Sequence, residues 1–430
     1  KTLTQLYCAY DKMFLPDRFV VGECPKCHAK GQYGDSCDSC GAVYDAVDLK
    51  NPRCSHCQGI PEKKESEHVF IKLDLFRSFL KSWVKDHTDQ SVANKLMEWL
   101  QGDLKDWCLT RDKPYFGFEV PDLPGKYYYV WFDAPIGYMA TTKEWCEKNN
   151  KDFKEFWCHE DTEIYHNIGK DIVYFHCLFW PVMLEASGFK KPEQIFVHGM
   201  LTVDGKKLSK SKGTFIRVST YLENLDPTYL RYYFAAKLNA GIADLDLNLD
   251  DFVNRVNSDL IGKITNIASR GFQMLQKNFG GVLGTLSEEG LSLVSQAQQK
   301  KDTIALHYEN RDFAKAVAEI RQIADSANKY FDHYQPWKLI KVDKEKTKEI
   351  LTTVINLYRV IAVYIKPILP TFSEKSEKLF YDQTPFVWDS VDRICENEKT
   401  NPFSHLIKRV DLKKVEAMIA SSKQKDKKPA

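Results

Sequence analysis

From residue 250 onward, apolar side chains recur every three or four positions. Phe252, Val253, Val256, Leu260, Ile264 and Ile267 mark one stripe, and similar stripes run over residues 304–331 and 350–365, with Pro367 and Pro370 as stops. That period predicts an α-helical bundle. The same spacing at Leu75, Phe76, Phe79, Leu80 and Trp83 predicts amphipathic helix over residues 73–100. Between these regions the pattern changes. Residues 126–139 are apolar, rich in β-formers and end at Pro135-Ile136-Gly137, so they read as a buried strand of a parallel sheet. Residues 165–185 have the form strand, Gly169-Lys170-Asp171 turn, helix, and residues 196–199 read as one more short strand. The longest apolar run, residues 172–184, is broken by His176 and Pro181, so no membrane span is expected and the chain reads as soluble.

Length and composition narrow this only in part. A chain of 430 residues is too long for one core and suggests two to four domains. A net charge of +2 excludes no partner class, because a nucleic-acid binder needs only a locally basic face. Seven of the 12 cysteines precede residue 60, mostly in Cys-x-x-Cys pairs, which favours metal in a reducing compartment over a disulfide framework. Cys24, Cys27, Cys37 and Cys40 form two tight thiolate pairs with glycine turns between them, the ligand set of a structural, tetrahedral Zn2+. Cys54 and Cys57 form a further pair whose expected partner is Cys8. The position three residues on is Asp11, so a Cys3Asp site and an empty, degenerate knuckle both remain open.

The densest chemistry lies at residues 204–214, Asp-Gly-Lys-Lys-Leu-Ser-Lys-Ser-Lys-Gly-Thr. Four lysines within seven positions suit a polyphosphate, whose developing charge ammonium groups can neutralise, although a solvated surface turn has the same composition. The order of residues is more specific. Lys-Leu-Ser-Lys-Ser resembles the Lys-Met-Ser-Lys-Ser loop of class I aminoacyl-tRNA synthetases. Residues 128–138 (Tyr-Tyr-Val-Trp-Phe-Asp-Ala-Pro-Ile-Gly-Tyr) and 168–176 (Ile-Gly-Lys-Asp-Ile-Val-Tyr-Phe-His) resemble the methionyl-tRNA synthetase family. The resemblance covers about residues 3–417.

That resemblance implies most of the expected site. Lys210, and after it Lys207, would stabilise charge on the phosphates of ATP, with Mg2+ accompanying the nucleotide. Gly169, Asp171 and His198 would contact ATP, and acceptance from ribose hydroxyls suits Asp171. Trp131, Ala134, Pro135, Tyr138, Ile172 and His176 would form the methionine pocket, where a polarisable thioether suits aromatic edges. Arg111 would order the active site by pairing with a carboxylate. Asn266 and Arg270, four apart on one helix face, and Trp337 would read the CAU anticodon of tRNA(Met), whose unpaired bases can be splayed, stacked and bonded on their edges. Asn167 departs from the aromatic expected there.

The fold expected is α/β plus all-α: the second half of a doubly wound nucleotide-binding fold with a zinc-knuckle insertion, then a helical anticodon domain. Its parts would be 1–108, the knuckle insertion; 109–200, the catalytic half; 201–250, the lysine loop and connector; and 251–430, the helical domain with a basic linker from residue 421. The chain begins with Lys1 and holds no His-x-Gly-His sequence, so a fragment lacking its N-terminal catalytic half is expected, inactive by itself. A cytoplasmic location and a homodimer formed through a further C-terminal domain complete the reading. Two rivals remain: a class I synthetase for another aliphatic amino acid, and a non-catalytic zinc-containing tRNA-binding protein.

Overall fold

The computed structural model describes residues 1–37, 39–42, 44–207 and 216–425, with the side chains of 206, 207 and 423–425 left aside. The described chain forms two compact units, Lys1–Val197 and His198–Ala430.

The first unit opens with short strands turned by glycines and cysteines. Thr2–Cys8 pairs antiparallel with Met13–Phe14 and Glu62–Glu67, and Val20–Glu23 lies between Gln32–Tyr33 and Lys50–Cys54. Strands this short enclose little, and the core here is small: Leu6, Leu15, Val20 and Leu49 with the thiols of Cys8 and Cys54. Residues 73–100 are not one helix. Helix Arg77–His87 stops where Thr88 turns extended, and Gln90–Gln101 starts behind Asp89. Thr88 Oγ1 returns its hydrogen bond to Val84 O at 2.7 Å, and Thr88 bridges Ile195, so the break serves the sheet. Both helices bury their apolar stripe, Leu80, Trp83, Val84, Leu96 and Leu100.

The strand expected over 126–139 requires correction. Only Lys126–Tyr128 is extended, and it pairs antiparallel with Thr110–Asp112; the chain then forms a helical turn, Val130–Asp133, and the helix Ile136–Asn149. The helical turn brings Phe132 back to Tyr128 at 5.2 Å and also to Trp107 at 5.9 Å, whereas in a continuous strand residues four apart would stand about 13 Å from one another. Residues 165–185 follow expectation. Strand Tyr165–Gly169, paired with Gln194–His198, turns inward His166 and Ile168 and leads through a 3₁₀ turn and a π-helical stretch, Phe175–Phe179, to helix Trp180–Ser187.

In the second unit, Leu201–Val203 lies between Lys206–Lys207, antiparallel, and Leu245–Leu247, parallel. Beyond it the apolar stripes form the expected helices. Leu249–Arg255, a π-helical stretch Val256–Thr265 and Asn266–Phe279 follow one another without interruption; Asn266–Phe279 and Phe313–Tyr334 pack on Lys344–Ile365, and Val256–Thr265 packs on Phe313–Tyr334. The last of these is buried on every side from Ile350 to Ile365, the pattern of a helix at the centre of a bundle rather than on its surface. The basic linker expected from residue 421 is also corrected: helix Leu412–Lys425 includes it as far as it is described, and Ser422 is buried. No helix among the described residues is long and apolar enough to cross a membrane.

Candidate functional site

Four of the expected methionine-pocket residues converge in the first unit. The helical turn Val130–Asp133 presents Trp131, whose ring stacks on Phe175 at 4.2 Å and meets His176 edge-on at 6.2 Å. One helix later Tyr138 Oη lies 2.9 Å from His176 Nε2, while His176 Nδ1 lies 3.1 Å from Ile172 O. A carbonyl can only accept, so Nδ1 carries the proton and Nε2 accepts from the tyrosine. Pro135 is buried and Ala134 is exposed.

A second histidine completes the wall and was not anticipated from sequence. His166 is buried, 4.9 Å from the Tyr138 ring and 5.8 Å from His176, and its Nε2 accepts from Trp180 Nε1 at 3.3 Å. Burial brings its pKa down to about 4, with a smaller contribution from His176, and burial lowers His176 as well against the opposing Ile172 carbonyl. Both rings are therefore held neutral, and the wall offers aromatic faces and fixed dipoles without net charge. The signal in the sequence was the alternation of residues 165–169, which turns 166 and 168 to the same side. A cavity of about 590 Å³ lies against Phe132, Met139, Phe153 and Met183. Its lining is almost wholly apolar, with Lys143 the one titratable side chain in it.

Gly169 ends its strand with φ −78°, which any residue adopts, so what it offers there is the absence of a side chain. Asp171 follows in the turn, exposed. His198 ends the partner strand, exposed, with Nδ1 2.9 Å from Gly199 O. The Arg111 guanidinium lies over the Tyr129 ring, 3.8 Å from its centre, and donates to Thr110 O at 2.8 Å. It lines a cavity of about 360 Å³ together with Asp17, whose carboxyl burial pushes up while Arg111 draws it down.

Lys210 lies outside the described residues, and Lys207 is described only as backbone in Lys206–Lys207. The stem of that loop is well defined. Asp204 and Gly205 have φ of 47° and 71°, the two left-handed residues of a tight hairpin. Asp246 Oδ1 accepts from Thr202 Oγ1 at 2.6 Å and from Gly205 N at 2.8 Å, bonds that hold its pKa down, and Asp204 Oδ1 accepts from Leu249 N at 3.3 Å.

Arg270 and Trp337 come together in the second unit. The Arg270 guanidinium lies 4.3 Å from the Phe331 ring and 5.3 Å from the Trp337 ring, with Nη2 2.7 Å from Asp332 Oδ1. Trp337 follows the helix-starting Pro336, with 43% of its surface exposed, so its outer face is open for stacking. Asn266 sits one helical turn before Arg270.

Cys24, Cys27, Cys37 and Cys40 bring their sulfurs within 4.8 Å of one another, with Cys24 and Cys40 at 3.8 Å and Cys27 and Cys37 at 3.5 Å. Tetrahedral zinc with bonds of about 2.3 Å requires sulfurs about 3.8 Å apart, so the donor set fits. Burial opposes ionisation of Cys24, but amide donors from Cys27 and Lys26 outweigh it and lower the thiol to about 6. Cys8, Asp11, Cys54 and Cys57 are gathered in the same way: Asp11 Oδ2 lies 3.1 Å from the sulfurs of both Cys8 and Cys54, and Cys8 and Cys57 are 3.4 Å apart.

A family model described as tRNA synthetases class I (M) matches residues 1–272, and one described as the anticodon binding domain of methionyl tRNA ligase matches residues 281–399. A methionine–tRNA ligase of Bdellovibrio bacteriovorus is 49% identical over 423 residues, 98% of this chain; the chain spans 61% of that relative's length. Mycobacterium tuberculosis methionyl-tRNA synthetase bound by methionyl-adenylate has a similar fold, with TM-score 0.74 at 22% identity over 95% of this chain and 77% of the other. Its free form gives 0.71 at 21% identity, over 96% and 77%.

Proposed function

The chain belongs to the class I methionyl-tRNA synthetase family, and from that premise we propose that it serves a methionine–tRNA ligase acting on methionine, ATP and tRNA(Met). In the first step the methionine carboxylate attacks the α-phosphate of ATP, forming methionyl-adenylate and displacing pyrophosphate. In the second, the terminal ribose hydroxyl of the tRNA takes the acyl group and AMP leaves. Neither step needs an enzyme nucleophile, so rate comes from positioning and from charge stabilisation at the phosphates.

The histidine wall is the observation that carries this reading. Trp131, with Tyr138 bonded to a neutral His176, gives a thioether an aromatic edge and presents no charge that would favour a cationic or anionic side chain. Ile172 orients His176 through its carbonyl, and Ala134 and Pro135 set the end of the turn that carries Trp131. Asp171 would hold ribose hydroxyls beside Gly169, with His198 against the adenine, and Lys210 and Lys207 would meet the phosphates, with Mg2+ accompanying the nucleotide. Arg111 would order the site through a carboxylate. Zn2+ at Cys24, Cys27, Cys37 and Cys40 would brace strands whose own core is small, and Cys8, Asp11, Cys54 and Cys57 are arranged to hold a second ion. Arg270, Trp337 and Asn266 would read the anticodon.

The test is ATP–pyrophosphate exchange by the intact enzyme that contains these residues, with methionine, leucine, isoleucine and valine compared. Exchange with methionine well above the others is expected. Preference for another aliphatic amino acid, or tRNA binding without exchange, overturns the reading.

A further inference from the structure

Residues 403–409 run beside the helix that carries Asn266. Asn257 fixes the register: its Nδ2 donates to Val410 O at 3.1 Å and its Oδ1 accepts from Val410 N at 2.8 Å. Every second residue of this segment, Phe403, His405, Ile407 and Arg409, lines one side of a groove of about 290 Å³. The opposite side is a helical stripe stepping by three and four, with Gly262, Asn266 and Ser269 among its members.

Thr265 and Ser269 in this groove are hydrogen-bonded within their own helix, whereas three other polar groups are open to a ligand. The carboxamide of Asn266, the imidazole of His405 and the guanidinium of Arg409 form no hydrogen bond or ion pair with any described residue. Three cations on the helices around the groove are paired with acids, Lys263 with Asp325, Arg270 with Asp332 and Arg321 with Asp259, and so are not free for a ligand in the way Arg409 is. No aspartate or glutamate lines the groove, and the Phe403 and His405 rings, 5.7 Å apart, give it an aromatic rim. One permanent cation and an aromatic edge suit a nucleotide, phosphate for the guanidinium and base face for the ring, with the Asn266 amide left to the neighbouring anticodon base. The volume is just under the roughly 300–1,000 Å³ of small-ligand sites, the scale of one nucleotide's base or phosphate rather than a longer segment.

We infer that the groove between residues 262–269 and 403–409 is a subsite for a single-stranded nucleotide of the tRNA loop adjoining the anticodon triplet, with Arg409 on its phosphate. This rests on the proposal that Asn266, Arg270 and Trp337 meet the anticodon. Asn266 stands at the groove while Arg270 is four residues, about 6 Å, further along the helix, so one RNA strand reaches both.

The experiment measures aminoacylation of tRNA(Met) by the intact enzyme at several salt concentrations, for Arg409→Ala, Arg409→Gln, Arg409→Lys, His405→Ala and Trp337→Ala. Melting temperatures and methionine-dependent pyrophosphate exchange, which needs no tRNA, are measured beside it. Arg409→Ala and Arg409→Gln should raise KM for tRNA about fivefold to tenfold with kcat kept, and flatten the logarithmic salt dependence by about one unit; Arg409→Lys should recover most of both. His405→Ala should raise KM without changing that slope. If Trp337→Ala is impaired while Arg409→Ala and Arg409→Gln behave as wild type, the subsite is wrong and the anticodon reading stands. If none of these variants alters KM for tRNA in an enzyme with intact exchange, the anticodon reading fails and the subsite with it. A KM increase that accompanies a lowered melting temperature in Arg409→Ala and is absent from Arg409→Gln is a folding effect, and it too overturns the inference.

Discussion

Replacing His166 by glutamine tests whether the histidine wall is held neutral. Folded, His166 titrates near 4 rather than near 6.5, because burial and the neighbouring His176 disfavour its cation. The unfolded chain therefore takes up this proton around pH 6.5 and the folded protein only near pH 4. Between those values the unfolded state binds more protons, so stability rises with pH: the contribution is complete above about 6.5 and is lost as pH falls towards 4. At about 1.4 kcal/mol per pH unit, the change amounts to roughly 3 kcal/mol. Glutamine has no proton to gain and its carbonyl can still accept from Trp180 Nε1, which now reaches His166 at 3.3 Å. At pH 7 the variant should be less stable by about 1 kcal/mol, the scale of one imperfectly replaced hydrogen bond. Urea unfolding followed by tryptophan fluorescence at pH 7, 5.5 and 4.5 should show that deficit shrink and then reverse. The comparison cancels the carboxylates and zinc-ligand thiols, which titrate in both proteins. A constant gap between wild type and variant across this range would refute the neutral buried histidine.

Tyr138→Phe removes the Oη that bonds His176 Nε2, leaving a buried acceptor unmatched; KM for methionine in pyrophosphate exchange should rise roughly fivefold or more, and an unchanged KM would dissociate the bond from methionine binding. Elemental analysis of protein purified without chelator should find at least one tightly held zinc per chain, and Cys37→Ala should lower the zinc content by one equivalent; less than about half an equivalent in wild type would count against the knuckle. Trp337→Ala should reduce aminoacylation efficiency about tenfold while exchange is nearly unchanged, because base stacking is worth roughly 1–3 kcal/mol. Lys210→Ala should do the reverse, suppressing exchange with or without tRNA, and normal exchange would remove the lysine from the phosphate chemistry.

Features carried by local spacing were legible in the sequence. Cys-x-x-Cys pairs fold into knuckles because the amides that turn the chain also point at the sulfurs, as Lys26 and Cys27 do at Cys24. Asn266 and Arg270 share a face because helices repeat every 3.6 residues. Features decided by distant partners were not legible. Val130, Trp131 and Phe132 favour strand by propensity, yet stacking of Trp131 on Phe175 and packing of Phe132 on Trp107 accompany a helical turn. His166 looked like one polar residue in a short strand, and its role depends on Tyr138 and Trp180 from two other helices. Asp11 broke a cysteine pattern in the sequence, whereas in the fold its carboxylate stands where a fourth thiolate would.

Helix Lys344–Ile365 has a consequence for how the protein is made. Its buried polar groups bind chain that follows it: Asn356 exchanges hydrogen bonds of 2.9 Å and 2.8 Å with the backbone of Cys395, and Arg359 donates to the carbonyls of Ser390 and Arg393. Those partners leave the ribosome later than the helix itself. Cys395 lies 30 positions after Ile365, and at roughly 5–20 residues per second its delivery takes about 2–6 s. During that interval a helix meant to be covered on all sides has one flank bare, so nascent chains stalled between residues 365 and 395 should be the ones most strongly held by chaperones.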